Sequence, residues 1–206
     1  MESSPPWRPS QIGLVADLEA ALDTGREDRV ETAGLTVRRA GPDDARAIAE
    51  VVVSGWQAAY RGILPDEFLD SLRVDAREAA WREMLLRDMD GGTPAWVAER
   101  GGQVVGFVSS GPPRDEDVPR PAAEIYAIYV RPQSWRQGLG RNLLDTAGAH
   151  WKGSGSRTLV LWVFEANARA RSFYEAMGWQ PDGGRQELVI GGTVAFEVRY
   201  RARLAD

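Results

Sequence analysis

Val130-Arg131-Pro132-Gln133-Ser134-Trp135-Arg136-Gln137-Gly138-Leu139-Gly140-Arg141 is the stretch on which the fold turns. The run that feeds it, Glu124 to Val130, is apolar on both faces: Ile125, Ala127 and Tyr129 alternate with Tyr126, Ile128 and Val130. That pattern suits a central strand covered on both sides. Beyond it, Gly138 to Trp151 carries Leu139, Leu143 and Ala147 at helical spacing. A buried strand therefore turns on two glycines into an amphipathic helix. The free N–H groups of that helix's first turn carry partial positive charge and form an anion site suited to a pyrophosphate, with Arg136 and Arg141 at its rim. A dinucleotide-binding turn would need a third glycine where Leu143 stands, and an acid about twenty residues further on. A nucleotide P-loop needs a Gly-Lys-Ser/Thr ending, which is absent. On this turn alone, a helix start with glycines placed for close packing stays open.

Working outward, Thr36 to Ala40 reads as a strand, and Pro42-Asp43-Asp44 starts a helix carrying Ile48, Val51, Val52 and Trp56. Pro65 opens a short helix with Phe68, Leu69 and Leu72, and Arg77 to Leu86 follows with Ala80, Trp81, Met84 and Leu85. Ala95 to Ala98 and Val104 to Val108 are strand-like, joined by a tight turn at Gly101-Gly102. Pro112 to Pro121 is a charged loop without periodicity. A second doubly apolar strand, Thr158 to Phe164, leads to a helix from Asn167 to Met177, and Glu187 to Arg201 reads as a hairpin broken at Gly191-Gly192. Strands and helices alternating on one mixed sheet predict an α/β or α+β layer fold.

The chain has 206 residues, 43% hydrophobic, enough for a sizeable core and against wholesale disorder. No apolar stretch approaches the ~18 residues of a membrane span, and Met1 to Pro6 lacks the features of a signal peptide, so a soluble cytoplasmic protein is expected. The absence of Cys excludes disulfides, thiolate nucleophiles and Cys-based metal sites, and a single His excludes a two-His site, so no metal is expected. The net charge of −5 argues against a nucleic-acid backbone as partner. Residues 1–33 hold seven acids against three arginines, and so account for −4 of it. They are read as an acidic extension with a short helix on Leu14, Leu18 and Leu22, ahead of one domain over 34–206.

Val130, Pro132 and Arg136-Gln137-Gly138-Leu139-Gly140 resemble the coenzyme A pyrophosphate loop of the GNAT superfamily of N-acetyltransferases. Asn167-Ala168-Arg169-Ala170-Arg171-Ser172-Phe173-Tyr174-Glu175-Ala176-Met177-Gly178-Trp179 resembles the family's second motif, in the expected order and on the expected kind of element. The resemblance covers roughly residues 35–203. It implies a mixed, mostly antiparallel twisted sheet flanked by helices with splayed central strands, and direct acetyl transfer from acetyl-CoA to a primary amine. It also implies that Ile128, Tyr129 and Val130 present a strand edge to the pantetheine arm, beside a bulge. The cofactor-binding set then comprises these three with Arg136, Gln137, Gly138, Leu139, Gly140, Arg141 and Asn167. One departure stands out: Trp135 occupies a position that is usually Gln or Arg.

The chemistry needs a neutral amine, a held oxyanion and a protonated leaving thiol. Glu124, at the start of the central strand, is the first candidate for the base, with Glu165 and Glu187 as alternatives. A strand-end acid in solvent fits Glu124 equally well. Tyr174 has a phenol pKa of ~10, just above a thiol's ~8.5, and can protonate the departing thiolate. The resemblance makes it the candidate general acid, where a bare helical Tyr would be read as core. Asn167 can bond the pantetheine, cap its helix, or do both. Trp56 and Tyr60 lie four apart on one helical face. They stand in a segment, Trp56 to Pro65, that resembles the acceptor-site wall of many bacterial members, although packing of the helix onto the sheet explains them as well. The expected partner is a small-molecule or peptide amine, and a homodimer is the base-rate assembly. A non-catalytic acyl-CoA sensor on the same fold is the alternative from another functional class. Without Cys, an acyl-cysteine intermediate is excluded.

Overall fold

The computed structural model describes residues 34–88 and 93–204. The acidic extension and its expected helix therefore lie outside the described residues. Seven strands form one sheet: β1 (Leu35–Arg39), β2 (Ala95–Arg100), β3 (Gln103–Gly111), β4 (Ala122–Val130), β5 (Thr158–Phe164), β6 (Gln180–Ile190) and β7 (Thr193–Arg203). Their order is β1-β2-β3-β4-β5-β7-β6. Every neighbouring pair is antiparallel except β4 and β5, which are parallel. This is the mixed, mostly antiparallel sheet expected from the sequence.

Helices cover both faces. α1 (Ala45–Ala59), α2 (Asp66–Asp70) and α3 (Val74–Asp88) lie on one side; α4 (Leu139–Gly153) and α5 (Ala168–Ala176) lie on the other. Alternation within each strand feeds two separate cores. Ile125, Ile128 and Val130 of β4 join Leu139, Leu143 and Phe173 beneath α4 and α5. Ala127 and Tyr129 join Ile48, Trp56, Trp81 and Phe107 beneath α1 and α3.

The turns follow from glycine pairs. Gly101 and Gly102 have φ of 56° and 77°, and Gly191 and Gly192 have 58° and 78°. Two successive positive φ values make the tight hairpin turns that match strand twist. The C-terminal hairpin is longer than its hydrophobic pattern suggests, since β6 begins at Gln180, before Pro181-Asp182-Gly183-Gly184. Those residues look like a loop, but β6 is an edge strand, where a proline and an irregular register between Pro181 and Arg185 are tolerated.

Gly55 lies inside α1, where glycine costs about 0.5–1 kcal/mol relative to alanine. Its reason is contact: a Cβ there would stand 3.0 Å from Cδ1 of Tyr129, so the helix backbone rests on that ring. Tyr129 is held from behind by Phe107 and cannot retreat freely. Gly55→Val is expected to destabilise the fold by about 2 kcal/mol through overpacking. A urea melt monitored by tryptophan fluorescence measures this, and an unchanged midpoint contradicts the contact.

Candidate active site between the central strands

β4 and β5 start as hydrogen-bonded neighbours and then part. Pairing runs from Ala122↔Thr158 to Ile125↔Leu161 and stops. β5 stays paired with β7 as far as Phe164↔Glu197, and β4 stays paired with β3 as far as Val130↔Gly106. The separation begins at a bulge: Ser109 pairs Ala127 and Ser110 pairs Ile125, leaving Tyr126 as the extra residue on β4. A bulge bends and twists the strand that carries it. From Tyr126 to Val130 the side of β4 that faces β5 has no strand partner among the described residues. An extended, amide-bearing chain can pair with such an edge.

At the end of that strand the glycine turn takes the expected form. Arg131 continues into a 3-10 turn, Pro132–Ser134, and Arg136 adopts a positive φ of 61°. Gly138 is the helix N-cap at φ 74°, so α4 starts without a side-chain cap and its first-turn N–H groups face outward. Trp135 occupies its unusual position for a packing reason. Its indole Nε1 donates to the Val130 carbonyl at 2.8 Å, and the guanidinium of Arg169 from α5 lies 3.8 Å above its ring. Gln137 donates to the Gln133 carbonyl at 3.3 Å and accepts from Arg100.

On the other side of the gap, Asn167 is the N-cap of α5, and its side chain accepts from the Ala170 N–H at 3.1 Å. Tyr174 is fully buried, and its hydroxyl has no hydrogen-bond partner among the described residues. Burial first, and then the neighbouring Tyr129, push its pKa well above the ordinary phenol value. It therefore keeps its proton through neutral and mildly alkaline pH.

A model of the acetyltransferase (GNAT) family matches residues 56–179, more than half of the chain. The chain belongs to the GNAT family. It is 35% identical over 143 residues to YuaI of Bacillus subtilis, named an uncharacterized N-acetyltransferase, covering 69% of this chain and 78% of that one. To Rv2775 of Mycobacterium tuberculosis, also named as an N-acetyltransferase, it is 32% identical over 157 residues, 75% and 84% of the two chains. Among solved structures, PaiA N-acetyltransferase from Thermoplasma acidophilum in complex with coenzyme A shares the fold at TM-score 0.67 and 19% identity, over 82% of this chain and 98% of that one. YncA of Salmonella typhimurium, determined with acetyl-CoA, superposes at TM-score 0.62 with 26% identity, over 84% and 95%.

Within this GNAT domain the acids sit in distinct surroundings. Glu124 is fully buried at the start of β4. The guanidinium of Arg114 clasps its carboxylate, with Nε 3.1 Å from Oε2, and the Arg114 backbone N–H donates to Oε2 at 3.0 Å. Arg114 also lies 4.4 Å over the ring of Tyr126. Glu165 pairs with Arg185 at 2.9 Å and is partly exposed, and Glu187 faces solvent on β6. Trp56 and Tyr60 are 1% and 0% exposed and pack edge-to-face at 5.2 Å, with Tyr60 edge-on to Phe164 at 4.9 Å. They back the gap between the strands from beneath α1 and present no open face to solvent. The Tyr60 and Tyr129 hydroxyls stand 3.2 Å apart.

Three residues of this region had drawn no attention in the sequence. Glu197 of β7 is fully buried, and Gln186 donates to its Oε2 at 2.8 Å. After burial and Tyr129, it contributes to raising the Tyr60 pKa. Its signal was an acid in the inward phase of an alternating strand, between Ala195 and Arg199. Arg77, half-buried on α3, lies one turn before Trp81 and shares its face. Arg114 left no signal, because its loop has no periodicity.

That loop is clamped from its far end. Arg199, 4% exposed, holds Asp115 at 2.8 Å, Asp117 at 2.6 Å and Asp182 at 2.9 Å, while Arg201 adds 3.0 Å to Asp182. Trp162 donates its indole N–H to Asp115 at 2.9 Å. Hydrogen bonding from Arg199 holds Asp117 below the usual carboxylate range. Burial alone would raise Asp182, but the Gly184 N–H and the two guanidinium groups outweigh it and lower it. A depressed folded-state pKa stabilises above the unfolded value of ~3.9 and is lost as pH falls through the folded one. The urea midpoint is expected to hold between pH 7 and 5 and to fall below about pH 4. An Asp117→Asn/Asp182→Asn variant should show a shallower acid decline, and an identical decline contradicts the clamp.

Proposed function

We propose that this chain transfers an acetyl group from acetyl-CoA directly to a primary amine. The observation that carries the reading is the open β4 edge beside a helix start in a left-handed turn, two features that fit the two ends of one ligand. The amides of a pantetheine arm pair with Ile128, Tyr129 and Val130. The pyrophosphate rests on the N–H groups of Gly138, Leu139 and Gly140, with Arg136, Gln137 and Arg141 at the rim. Asn167 fixes the start of α5 through its cap.

Acetyl-CoA supplies the thioester. An alkyl amine of pKa ~10 is only about one part in a thousand neutral at pH 7, so a base must take its proton. The amine nitrogen bonds to the carbonyl carbon while the carbonyl electron pair moves onto oxygen. A backbone N–H near Ile128 or Tyr129 holds that oxyanion. When the C–S bond breaks, Tyr174 gives its proton to sulfur. Its buried, otherwise unpartnered hydroxyl favours this role, and with it an enzyme over a non-catalytic acyl-CoA sensor.

Glu124 remains the first candidate for the base, acting once Arg114 is displaced. Glu197, buried next to the Tyr60–Tyr129 hydroxyl pair, is favoured as the second. Trp56 and Tyr60 shape the acceptor side by holding Tyr129 and Phe164 in place. The acceptor is a small molecule or a peptide amine. No helix among the described residues is long and apolar enough to cross a membrane.

CoA release and calorimetry test these assignments. Tyr174→Phe is expected to lower kcat about 10²-fold at pH 7 with acetyl-CoA affinity unchanged, and to lower it less at pH 9, where the thiolate is stable without a proton. Equal loss of binding and rate would make Tyr174 a packing residue. Glu124→Gln should cost about 10²-fold in kcat/KM and Glu197→Gln much less, while the reverse order assigns the base to Glu197. Gly138→Val forces a β-branched residue into the left-handed region and should weaken acetyl-CoA binding about tenfold.

A further inference from the structure

Glu124 and Tyr126 stand at the fork of the sheet. Glu124 pairs with Val160 one rung before the pairing of β4 with β5 ends, and Tyr126 is the bulge residue at which the strands part. Ala123 and Ile125 join the core beneath α4 and α5, so the alternating Glu124 side chain points to the opposite face. On that face the loop between β3 and β4 closes over the strands: its Val118 packs on Ala122 and Val160, and the Arg114 guanidinium sits on the Glu124 carboxylate, 4.4 Å over the Tyr126 ring. A buried carboxylate beside an aromatic face is a seat for an organic cation. The ring itself is fixed. Its hydroxyl donates to the Pro112 carbonyl at 2.6 Å, and it rests on Gly111, where a Cβ would stand 2.6 Å from Cε2.

The cation on this seat is held more loosely than Arg199. The Arg199 side chain is 5% exposed and grips three aspartates, whereas that of Arg114 is 31% exposed and meets one carboxylate. Glu124 beneath it is 1% exposed, so the way from solvent to the carboxylate runs past the Arg114 guanidinium. The loop does not depend on that guanidinium for its place. Arg199 fixes Asp115 and Asp117, Trp162 also holds Asp115, and the Pro113 carbonyl accepts from Arg120 at 3.0 Å. With the backbone pinned on both sides of residue 114, the Arg114 N–H still donates to Oε2 of Glu124 when the side chain swings outward. Stripping a buried carboxylate of its counter-ion is costly, so what takes the place of Arg114 must itself be a cation. We propose that Glu124 and Tyr126 form the acceptor's cation seat and that Arg114 is its resident occupant, which the acceptor displaces as an ammonium ion. This rests on the acetyltransferase reading above. It makes Arg114 a specificity-determining residue, which yields to alkyl amines, almost wholly ammonium at pH 7, and holds the seat against neutral molecules. The exchange also sets the ammonium N–H groups on the carboxylate that is the first candidate for the base.

n-Butylguanidinium chloride reproduces the Arg114 head group and, being always protonated, is not acetylated. Its binding is measured by calorimetry at constant ionic strength, with n-butanol as the neutral control. Arg114→Ala is expected to bind it about tenfold or more tightly than the wild-type chain, the penalty of a seat otherwise open a tenth of the time. The Arg114→Ala/Glu124→Gln variant should not bind it, and n-butanol should bind to none of the three. CoA release is then followed with n-butylamine, cadaverine and L-lysinamide as acceptors. For any amine that the wild-type chain acetylates, Arg114→Ala should lower KM about tenfold, leave acetyl-CoA affinity unchanged, and become open to inhibition by n-butylguanidinium that is competitive with the amine. Should Arg114→Ala not fold, Arg114→Lys, which keeps the charge without the planar fork, should lower KM several-fold instead. An amine KM unchanged or raised in the variant that folds, inhibition that the amine does not relieve, n-butylguanidinium binding that survives Glu124→Gln, or acetyl-CoA binding without acetylation of any amine in the panel would each overturn the proposal. Failure to bind acetyl-CoA at all would instead overturn the acetyltransferase reading on which it rests.

Discussion

The pairing of β4 with β5 ends at Ile125 and Leu161, and much of the molecule is arranged around that interruption. A buried strand normally satisfies its backbone groups on both sides, and leaving one side open in a protein interior is costly. Here the cost is confined. The bulge at Tyr126 turns β4 away while β3 holds its other edge, and β7 holds β5 along its full length. Each strand keeps one firm partner, so the opening is rigid. Gly55 lets α1 settle directly onto Tyr129 and fixes the strand from one face, while Leu139 and Leu143 of α4 support the other.

The opening also explains where polar groups collect. The Tyr60 and Tyr129 hydroxyls meet beside the gap, and the buried Tyr174 and Glu197 act electrostatically on the same group. In a continuous sheet these positions would be filled by aliphatic side chains. The phenols of Tyr60 and Tyr174, raised in pKa by burial, are neutral at working pH, so they can donate hydrogen bonds without adding charge there. The charged groups stand one layer further back. That ordering suits a reaction in which charge develops transiently at the centre.

Much of this architecture was legible in the sequence because it rests on local rules. Alternating residues named the strands, paired glycines named the hairpin turns, and the two motifs placed a helix start and a helix on either side of the central strands. β5 runs from Thr158 to Phe164 as read. The failures share a cause. The contact of Arg114 with Glu124 spans a loop without periodicity, and no pattern places one over the other. The start of β6 was hidden because Pro181 and two glycines imitate a turn, and only the demand of Arg199 for Asp182 draws them into the sheet. A bulge leaves no trace in an apolar strand, since Tyr126 reads like its neighbours. Trp56 and Tyr60 were correctly placed on one face, but spacing alone does not tell a wall of a cleft from its backing. Arg77 was legible in principle, as a cation at the inward phase of α3, and was passed over because the helix was read as starting there.

Trp135 stands in the glycine turn where the resemblance led us to expect another residue, and its contacts give the departure a mechanical sense. Its indole is bonded to the last carbonyl of β4, and its face carries Arg169 from the helix that bears Tyr174. One side chain thus fastens three parts: the open strand edge, the glycine turn and α5. The turn, the open strand edge and the helix beyond it are braced as a tripod, so a load on one foot sets the alignment of the other two.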